Sequence, residues 1–411
     1  MAKTQNSFLN PILVYLLIFV SGSVVFKQGS DKYLILAFFI SLLAWYLFAD
    51  RKINDRFIIY VCVFAGFLVT ISLYTEGSLG LGSVISTVLR LLIAYLILKT
   101  VGCKFVDTYI NVVVFLAGFS LFGYLTDTFS LFDSVIHKLP QIGGGGNGYE
   151  GMLFVYRRHY SGWGRNASIF FEPGAYQIFL NIALFMILFV KTKFSGMRRL
   201  LYSSILLVAL VTTSSTTGYL ICATMLGLFL WEDKSLSFSG KATVVGLLLG
   251  TMVVFSAQLY SMVVEKISDD LFSVQHVTDK SARRGFDAMV DTEIFKRHIF
   301  GAGYTRYAEE FSSIGLVNQR SAMNSSNGIT KTLAIYGLPF TFFLFASYYW
   351  AFGRLLGGLL MNIVVFGMLM AFFIGEAHFV LSPICLAIIA AAFVYNRTIQ
   401  GEYMNYKREM A

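Results

Sequence analysis

Charged side chains are scarce in this chain: Asp, Glu, Lys and Arg make up 13% of its 411 residues, whereas 56% are hydrophobic. Soluble globular domains carry about twice that share of charge and are less apolar. The composition therefore excludes an ordinary soluble domain and is typical of a chain that crosses a membrane several times. We expect an all-α polytopic integral membrane protein that forms a single membrane domain over residues 1–411.

Cysteine is also rare. The four cysteines lie inside or beside apolar runs, at Cys62, Cys103, Cys222 and Cys385. Their spacing fits neither a disulfide framework nor a metal site, so we interpret them as free thiols and expect no metal or other cofactor. The first apolar run lacks a small-residue cleavage site and is followed at once by another run. We therefore expect no cleaved signal peptide.

About twelve apolar runs are long enough for transmembrane helices, which need roughly 20 mainly apolar residues, and fewer where polar flanks reach the interface. The runs are Pro11–Phe26, Tyr33–Ala49, Phe57–Tyr74, Val84–Leu98, Tyr109–Thr126, Ala175–Val190, Leu200–Thr213, Gly218–Trp231, Ala242–Tyr260, Ile329–Phe352, Leu359–Gly375 and Phe379–Tyr395. The runs Leu200–Thr213 and Gly218–Trp231 are short and are separated only by the turn Ser214–Thr217.

Lysine and arginine are concentrated in every second short loop, and loops of that kind face the cytoplasm. The basic set extends from Lys3 near the start of the chain to Arg408 in the tail. Both termini are therefore predicted to be cytoplasmic, and the two long loops, residues 127–174 and 261–328, are predicted to face outward. The net charge of +9 then serves to orient the protein in the bilayer, so we expect no nucleic acid as a partner.

The first long loop ends in the stretch Gly162–Gly174, where Arg165 and Glu172 lie seven residues apart. Pro173 suits the first turn of a helix, so a helix is predicted to begin there, with Glu172 at its positive end. Earlier in the loop, a glycine run at 143–148 lacks the following Lys and the preceding strand of a phosphate-binding loop. We interpret that run as a flexible lid or linker.

The second long loop contains an amphipathic pattern over residues 281–298. Apolar residues recur with a 3.6-residue period, at Phe286, Met289, Val290, Ile294 and Phe295. Basic residues close the pattern and Gly301 follows it, as is typical of a helix end. We predict an amphipathic helix that lies on or against the outer face of the bundle.

Arginine is the recurrent charge of both outer loops, and guanidinium groups bind phosphate oxygens bidentately without a metal. The residues are Arg157, Arg158, Arg165, Arg283, Arg284, Arg306 and Arg320. The alternative is that they pair with carboxylates of the same loops, such as Asp287 and Asp291. We favour pairing for Arg306 and Arg320, and ligand contact for Arg165 and Arg283.

Three further ionisable residues lie in or beside apolar runs. Arg90 is near the middle of its run, where a charge is costly, so a functional role and a structural partner are about equally expected. Lys331 lies one turn inside its run, and snorkelling towards the interface explains it. His378 follows Glu376 in a tight turn, where it could assist proton transfer, although a satisfied interfacial pair is the commoner case.

Four features follow one another in a defined order. They are Arg165 with Phe170–Gly174, the turn Thr212–Gly218, Ser281–Arg283 leading to Ile299–Gly303, and Ser326–Asn327 before Gly337–Leu338. In order and spacing they resemble the O-antigen polymerase and ligase superfamily of bacterial cell-surface polysaccharide synthesis. The resemblance covers residues 165–338, whereas the first five runs match only as generic hydrophobic helices.

The resemblance implies a GT-C-like fold and a metal-independent, inverting glycosyltransferase. Such an enzyme uses undecaprenyl-pyrophosphate-linked oligosaccharides at the periplasmic face of the bacterial inner membrane. The residues that would engage the donor pyrophosphate are Arg157, Arg158, Arg165, Arg283, Arg284 and Arg90. The base that takes the acceptor proton stays open among Glu172, His159, Tyr160 and His378, and Asn327 is a candidate on the acceptor side.

One departure from the pattern bears on the choice within the superfamily. Ser326 stands where ligases carry a His before the Asn, which favours a polymerase that joins lipid-linked repeat units over a ligase that transfers the glycan to lipid A core or to a protein. A transporter or flippase is the alternative from another class, although the two halves show no evident repeat. Besides the bilayer, the resemblance implies a chain-length regulator as a partner.

Overall fold

The computed structural model is nearly all helical. It describes residues 8–28, 30–129, 141–142, 149–150, 156–157, 165–190, 192–232, 283–317 and 325–395. Several predicted features lie outside these residues, namely the apolar run Ala242–Tyr260, the glycine run at 143–148, Arg158, His159 and Tyr160. The side chains of Arg157, Arg283 and Arg284 are likewise not described.

The helices are α1 (Leu9–Gly22), α2 (Val24–Gln28), α3 (Ser30–Phe48), α4 (Asp55–Tyr74), α5 (Leu81–Val101), α6 (Phe105–Thr128), α7 (Pro173–Phe189), α8 (Gly196–Thr212), α9 (Thr216–Glu232), α10 (Arg283–Arg297), α11 (Tyr304–Val317), α12 (Gly328–Leu356), α13 (Leu359–Gly375) and α14 (Pro383–Val394). In the described ranges, 3₁₀ turns cover Gly102–Lys104 and Ala377–Phe379. Three antiparallel strands of two residues each form a small sheet in the first long loop: β1 (Gln141–Ile142), β2 (Tyr149–Glu150) and β3 (Tyr156–Arg157).

Within the part of the chain that the structure describes, four helical segments are long and apolar enough to cross a membrane. They are Asp55–Tyr74, Leu81–Thr126, Gly328–Leu356 and Ala377–Val394, and five further apolar helices are shorter. The chain is therefore a helical membrane protein. All but one of the predicted runs coincide with helices, and the exception lies outside the described residues. A bundle of about twelve spans with a GT-C-like arrangement stays a prediction.

The interior of the bundle is organised around α5. This helix packs against α1, α3, α4 and α14, and its residues from Ile93 to Leu98 are buried on all sides. Tyr95 of α5 stacks on Phe57 of α4 with ring centroids 3.7 Å apart. A second group joins α7 to α6, α8 and α9, and α7 is also buried along most of its length. Helices that are apolar on every face suit such interior positions.

Helix α12 is broken at Gly337, where the backbone has φ 77° and ψ 172°, and Pro339 follows two residues later. A break inside an apolar helix leaves main-chain groups that need other partners. Residues 299–303 supply them: Ala302 N–H donates to the Ala334 carbonyl at 2.9 Å and Gly303 N–H to the Ile335 carbonyl at 3.0 Å. The Leu338 N–H donates in turn to the Ile299 carbonyl at 2.9 Å. Two separate sequence features, Ile299–Gly303 and Gly337–Leu338, are thus one structural unit.

Candidate functional site

The segment before α7 passes through the interior of the bundle. Arg165 is exposed, whereas Asn166 and the residues that follow it as far as Phe171 are buried. The Ile169 carbonyl accepts a hydrogen bond from Val24 N–H at 3.0 Å, which joins the segment to the α1–α2 junction. The segment is therefore part of the core rather than a surface loop.

Asn166 holds this segment in place. Its Nδ2 donates to Ser120 Oγ at 3.1 Å and to Thr212 Oγ1 at 3.0 Å, and its Oδ1 accepts from Ser168 N–H at 3.0 Å. Ser168 has a φ of 50°, a conformation that costs energy for a residue with a side chain. The Asn166 side chain offsets that cost by bonding the strained backbone.

An Asn166→Ala substitution is expected to destabilise the protein by about 2 kcal/mol, because the buried Ser168 N–H loses its acceptor. The apparent melting temperature of purified protein in detergent would show the loss. Thr224→Ala, which removes an exposed hydroxyl from α9, is the control and should leave the melting temperature unchanged. Equal melting temperatures for the two variants would contradict this role of Asn166.

Arg165 contacts the turn between α8 and α9. Its Nε donates to the Thr213 carbonyl at 3.0 Å and its Nη2 to the Ser214 carbonyl at 2.8 Å. The last carbonyls of a helix lack partners within the helix and attract positive charge, so Arg165 caps α8. The sequence predicted ligand contact for this residue and missed its capping role. The side chain is nevertheless exposed, so capping and ligand contact are compatible.

Two carboxylates lie at the start of α7. The helix begins at Pro173, as predicted, with half-buried Glu172 as its N-cap residue. The buried Glu376 carboxylate lies against Gly174, where its Oε1 occupies the space that a Cβ would need. A glycine at 174 therefore allows this carboxylate to approach the positive end of the helix.

The turn Ala377–Phe379 lies between the starts of two helices. On one side it meets the residues before α7, since the His378 ring contacts Phe171 edge-on with centroids 5.6 Å apart. On the other side it meets α12, because a Cβ at Gly328 would lie 2.9 Å from the Ala377 Cα. The turn thereby joins the first and the last of the four sequence features.

His378 lies within reach of several charges from different helices. Those that act on its ring are Lys331, Lys27, Glu172 and Arg90. Glu172, Arg90 and His378 are all predicted site residues, and the charges of the first two act on the His378 ring. Lys27 was not singled out, and Lys331 was attributed to snorkelling. The signal available in the sequence was an ionisable residue in or next to an apolar run, which is a functional candidate by default.

The amphipathic helix α10 lies within the predicted interval 281–298, and Phe286, Val290 and Ile294 of its predicted apolar face are buried. Met289 is 59% exposed, whereas Asp287 and Asp291 are fully buried. Asp287 Oδ2 accepts from Ser326 N–H and Oγ, at 2.9 and 2.7 Å. Asp291 accepts from Tyr307 Oη at 2.8 Å and from Thr330 Oγ1 at 2.6 Å. Two carboxylates thus fasten α10 to the start of α12.

Burial raises the pKa of Asp291 above its ordinary value, and the negative charge of Asp287 raises it further. The hydrogen bonds from Thr330, Ser325 and Tyr307 oppose that rise without cancelling it. A buried carboxylate of this kind is costly unless donors satisfy it. The three donors therefore explain how α10 tolerates an ionisable group on its buried face.

Asn327 also has a structural task, because its Oδ1 accepts from Ile329 N–H at 3.0 Å and Thr330 N–H at 3.3 Å and so caps α12. Arg157 lies on β3, and Arg283 and Arg284 begin α10 one turn before Asp287. Arg158, His159 and Tyr160 lie outside the described residues. Among the predicted site residues that the structure describes, Arg90 and Glu172 act on His378, and Asn327 precedes Gly328, which packs on Ala377.

Comparison with protein-family models and with curated proteins finds no match for this chain.

Proposed function

We propose that this protein is a glycosyltransferase that polymerises undecaprenyl-pyrophosphate-linked oligosaccharide repeat units into O-antigen or a related surface polysaccharide. The observation that supports the proposal is the group of cationic side chains and a carboxylate that surround His378. Arg90, Lys27 and Lys331 all act on His378, as does Glu172. Such a site combines groups that bind a diphosphate with a group that accepts a proton.

The contacts among the four sequence features add support. Arg165 bonds the turn Thr212–Gly218, and Asp287 on α10 bonds Ser326. Gly174 and Gly328 pack against the turn after α13 from two sides. Features that are scattered along the chain thus meet at a common place, as the parts of one site must.

In the proposed reaction an acceptor hydroxyl attacks the anomeric carbon of the donor sugar. The bond between that carbon and the diphosphate oxygen breaks, undecaprenyl pyrophosphate leaves, and the configuration inverts. Glu172 takes the hydroxyl proton, since it is only half-buried and lies beside His378. The cationic side chains stabilise the charge that develops on the leaving diphosphate without a metal.

The proposal carries a location and partners. The enzyme would lie in the bacterial inner membrane with both termini cytoplasmic and its long loops on the periplasmic side. Donor and acceptor would both be lipid-linked oligosaccharides. A chain-length regulator would act with it, and no nucleic acid would be involved.

The test is to incubate the purified protein with undecaprenyl-pyrophosphate-linked repeat units and to resolve the products by length on a gel. Wild type is expected to give a ladder, and Arg165→Ala to slow its formation by about 100-fold or more through lost stabilisation of the leaving group. Glu172→Gln, which keeps the shape and removes the charge, should also suppress the ladder. Arg198→Ala is the control, since Arg198 lies at the other end of α8 and bonds Tyr202.

Products that never exceed the input length would contradict the polymerase. If added lipid A core or protein acceptors then became glycosylated, the ligase of the same superfamily would replace it. A third outcome would favour a transporter over both enzymes. In that case neither product would form, and a labelled lipid would cross the membrane of proteoliposomes equally well with wild type and with Arg165→Ala. The melting temperature of each variant is measured as well. A lower melting temperature of Arg165→Ala would indicate that the α8 cap is lost, whereas an unchanged one would indicate that only the reaction is affected.

A further inference from the structure

An apolar groove runs along α4 beside the break in α12, and it is called the α4–α12 groove below. One wall is formed by Phe67, Thr70, Ile71 and Tyr74 of α4, and the other by the residues of α12 on both sides of Gly337. Its volume is about 160 Å³. A cavity of this size that is lined by apolar side chains excludes water and accepts an apolar guest.

Two hydroxyl groups in the walls already have partners. Thr70 Oγ1 donates to the Gly66 carbonyl of its own helix at 2.8 Å. The hydroxyl of Tyr336, on the α12 side, bonds the Tyr304 hydroxyl at 2.8 Å. A polar ligand such as a sugar ring loses free energy when it is buried without hydrogen-bond partners. The α4–α12 groove therefore favours an apolar occupant.

The groove opens towards the bilayer. Both walls belong to segments that are long and apolar enough to cross a membrane. Thr70, Tyr74 and Phe300 are exposed although they line the groove, and the neighbouring side chains Leu73 and Leu338 are exposed as well. Exposed apolar side chains of a crossing helix contact lipid. The groove is thus continuous with the lipid-facing surface of the protein.

The two ends of the groove differ. At one end Tyr74, the last residue of α4, meets Phe300 edge-on with ring centroids 5.8 Å apart, next to the turn at residues 75–80. At the other end Phe67 meets Phe340 with ring centroids 6.4 Å apart. From Phe67 to Tyr74 the helix rises about 10 Å, which is less than the roughly 15 Å of hydrocarbon in one leaflet.

This geometry suits a chain that starts at the membrane surface and ends within the same leaflet. A tyrosine at a helix end is typical of the interface where lipid headgroups lie. An acyl chain whose headgroup lies beside Tyr74 would reach Phe67 with part of its length. An undecaprenyl chain is far longer than the groove.

We propose that the α4–α12 groove binds one acyl chain of a bilayer phospholipid and that this chain supports the contact between residues 299–303 and α12. Phe300 belongs to that segment and lines the groove, and Pro339 lines it from α12. The Leu338 N–H donates to the Ile299 carbonyl between them. A chain in the groove packs on both partners of the contact and buries apolar surface of each. The inference is independent of the proposed function, because it involves no diphosphate, sugar or catalytic residue.

The test is photo-crosslinking of purified full-length protein in detergent with a phospholipid that carries a diazirine in one acyl chain. Peptide mass spectrometry locates the label, which is expected on residues 67–74 and on Phe300. Thr70→Phe places a ring in the groove and is expected to lower this labelling about tenfold. Val69→Phe is the matched control, because Val69 is exposed beside the groove on the same helix and should leave the labelling unchanged.

The melting temperature tests the second half of the proposal. Added phospholipid is expected to raise the melting temperature of delipidated wild type and of Val69→Phe more than that of Thr70→Phe. An equal rise in all three proteins would overturn the supporting role of the chain.

Two further outcomes bear on the occupant and need only wild type. Excess unlabelled phospholipid is expected to displace the label, and undecaprenyl phosphate at the same concentration is expected not to. The reverse result would assign the groove to a polyprenyl chain and overturn the phospholipid. Equal labelling of every lipid-facing helix would overturn a specific site in favour of general contact with lipid. The assay involves no turnover, so its outcome is separate from that of the product ladder.

Discussion

Gly337→Ala is expected to destabilise the protein by about 3 to 5 kcal/mol, the largest effect of any single substitution considered. The φ and ψ of Gly337 lie in a region that residues with a Cβ rarely adopt. The new methyl group would also meet the backbone of Phe300 and, at 2.6 Å, the Gly301 nitrogen. Main chain cannot move aside as a flexible side chain can, so the contact between residues 299–303 and α12 would open.

The unfolding of Gly337→Ala can be followed by titrating detergent-solubilised protein with sodium dodecyl sulfate. Gly66→Ala and Gly367→Ala are matched controls, because no atom lies within 4 Å of a Cβ at either position. Alanine stabilises a helix by about 1 kcal/mol relative to glycine, so these controls should be neutral or slightly more stable. If Gly337→Ala matched them, the broken helix would not depend on glycine.

Asp291→Ala is expected to cost about 2 to 4 kcal/mol, because the buried hydroxyls of Tyr307 and Thr330 lose a charged acceptor. The substitution would loosen α10 from the start of α12 and so disturb the site as well as the fold. The apparent melting temperature measures the loss. Asp50→Ala, which removes an exposed carboxylate, should have no effect. An equally small change in both variants would show that the carboxylate does not fasten α10.

Asp291→Asn separates the charge of this group from its shape. The pKa of Asp291 is raised in the folded protein, chiefly by burial, so the folded state holds the proton more tightly than the unfolded state. Its contribution to stability is then fully present below about pH 4, the ordinary pKa, and is lost as the pH rises through the raised pKa. The stability advantage of wild type over Asp291→Asn should therefore shrink as the pH rises. An advantage that grows with pH would contradict the raised pKa.

Several elements could be read from the sequence because they follow from local rules. The apolar runs gave helices close to the predicted bounds, and Pro173 starts α7 because its fixed φ and missing N–H suit a first turn. Gly337, by contrast, appeared only as part of a sequence feature. Its unusual backbone follows from its contact with residues 299–303, which are distant in sequence.

The periodicity of α10 shows the limit of such rules. It placed Met289 on the same apolar face as Val290 and Ile294, which are buried, yet Met289 is exposed and Asp291 is buried. The helical period predicts which residues lie on the same face of a helix. Whether a charged residue can be buried on that face depends on the side chains that pack against it. Here Tyr307 and Thr330 offer hydroxyl donors, so a carboxylate replaces an apolar contact.

The sequence by itself determined that this is a helical membrane protein, because scarce charge and long apolar runs permit few other stable states. It also determined the start of α7 and the presence of Arg90 within an apolar run. Only the tertiary structure decided that Arg165 caps α8 and that Lys27 packs on the Phe171 ring, which contacts His378. The reason is physical: hydrophobic burial follows local pattern, whereas the environment of a charge depends on side chains that distant segments bring to it.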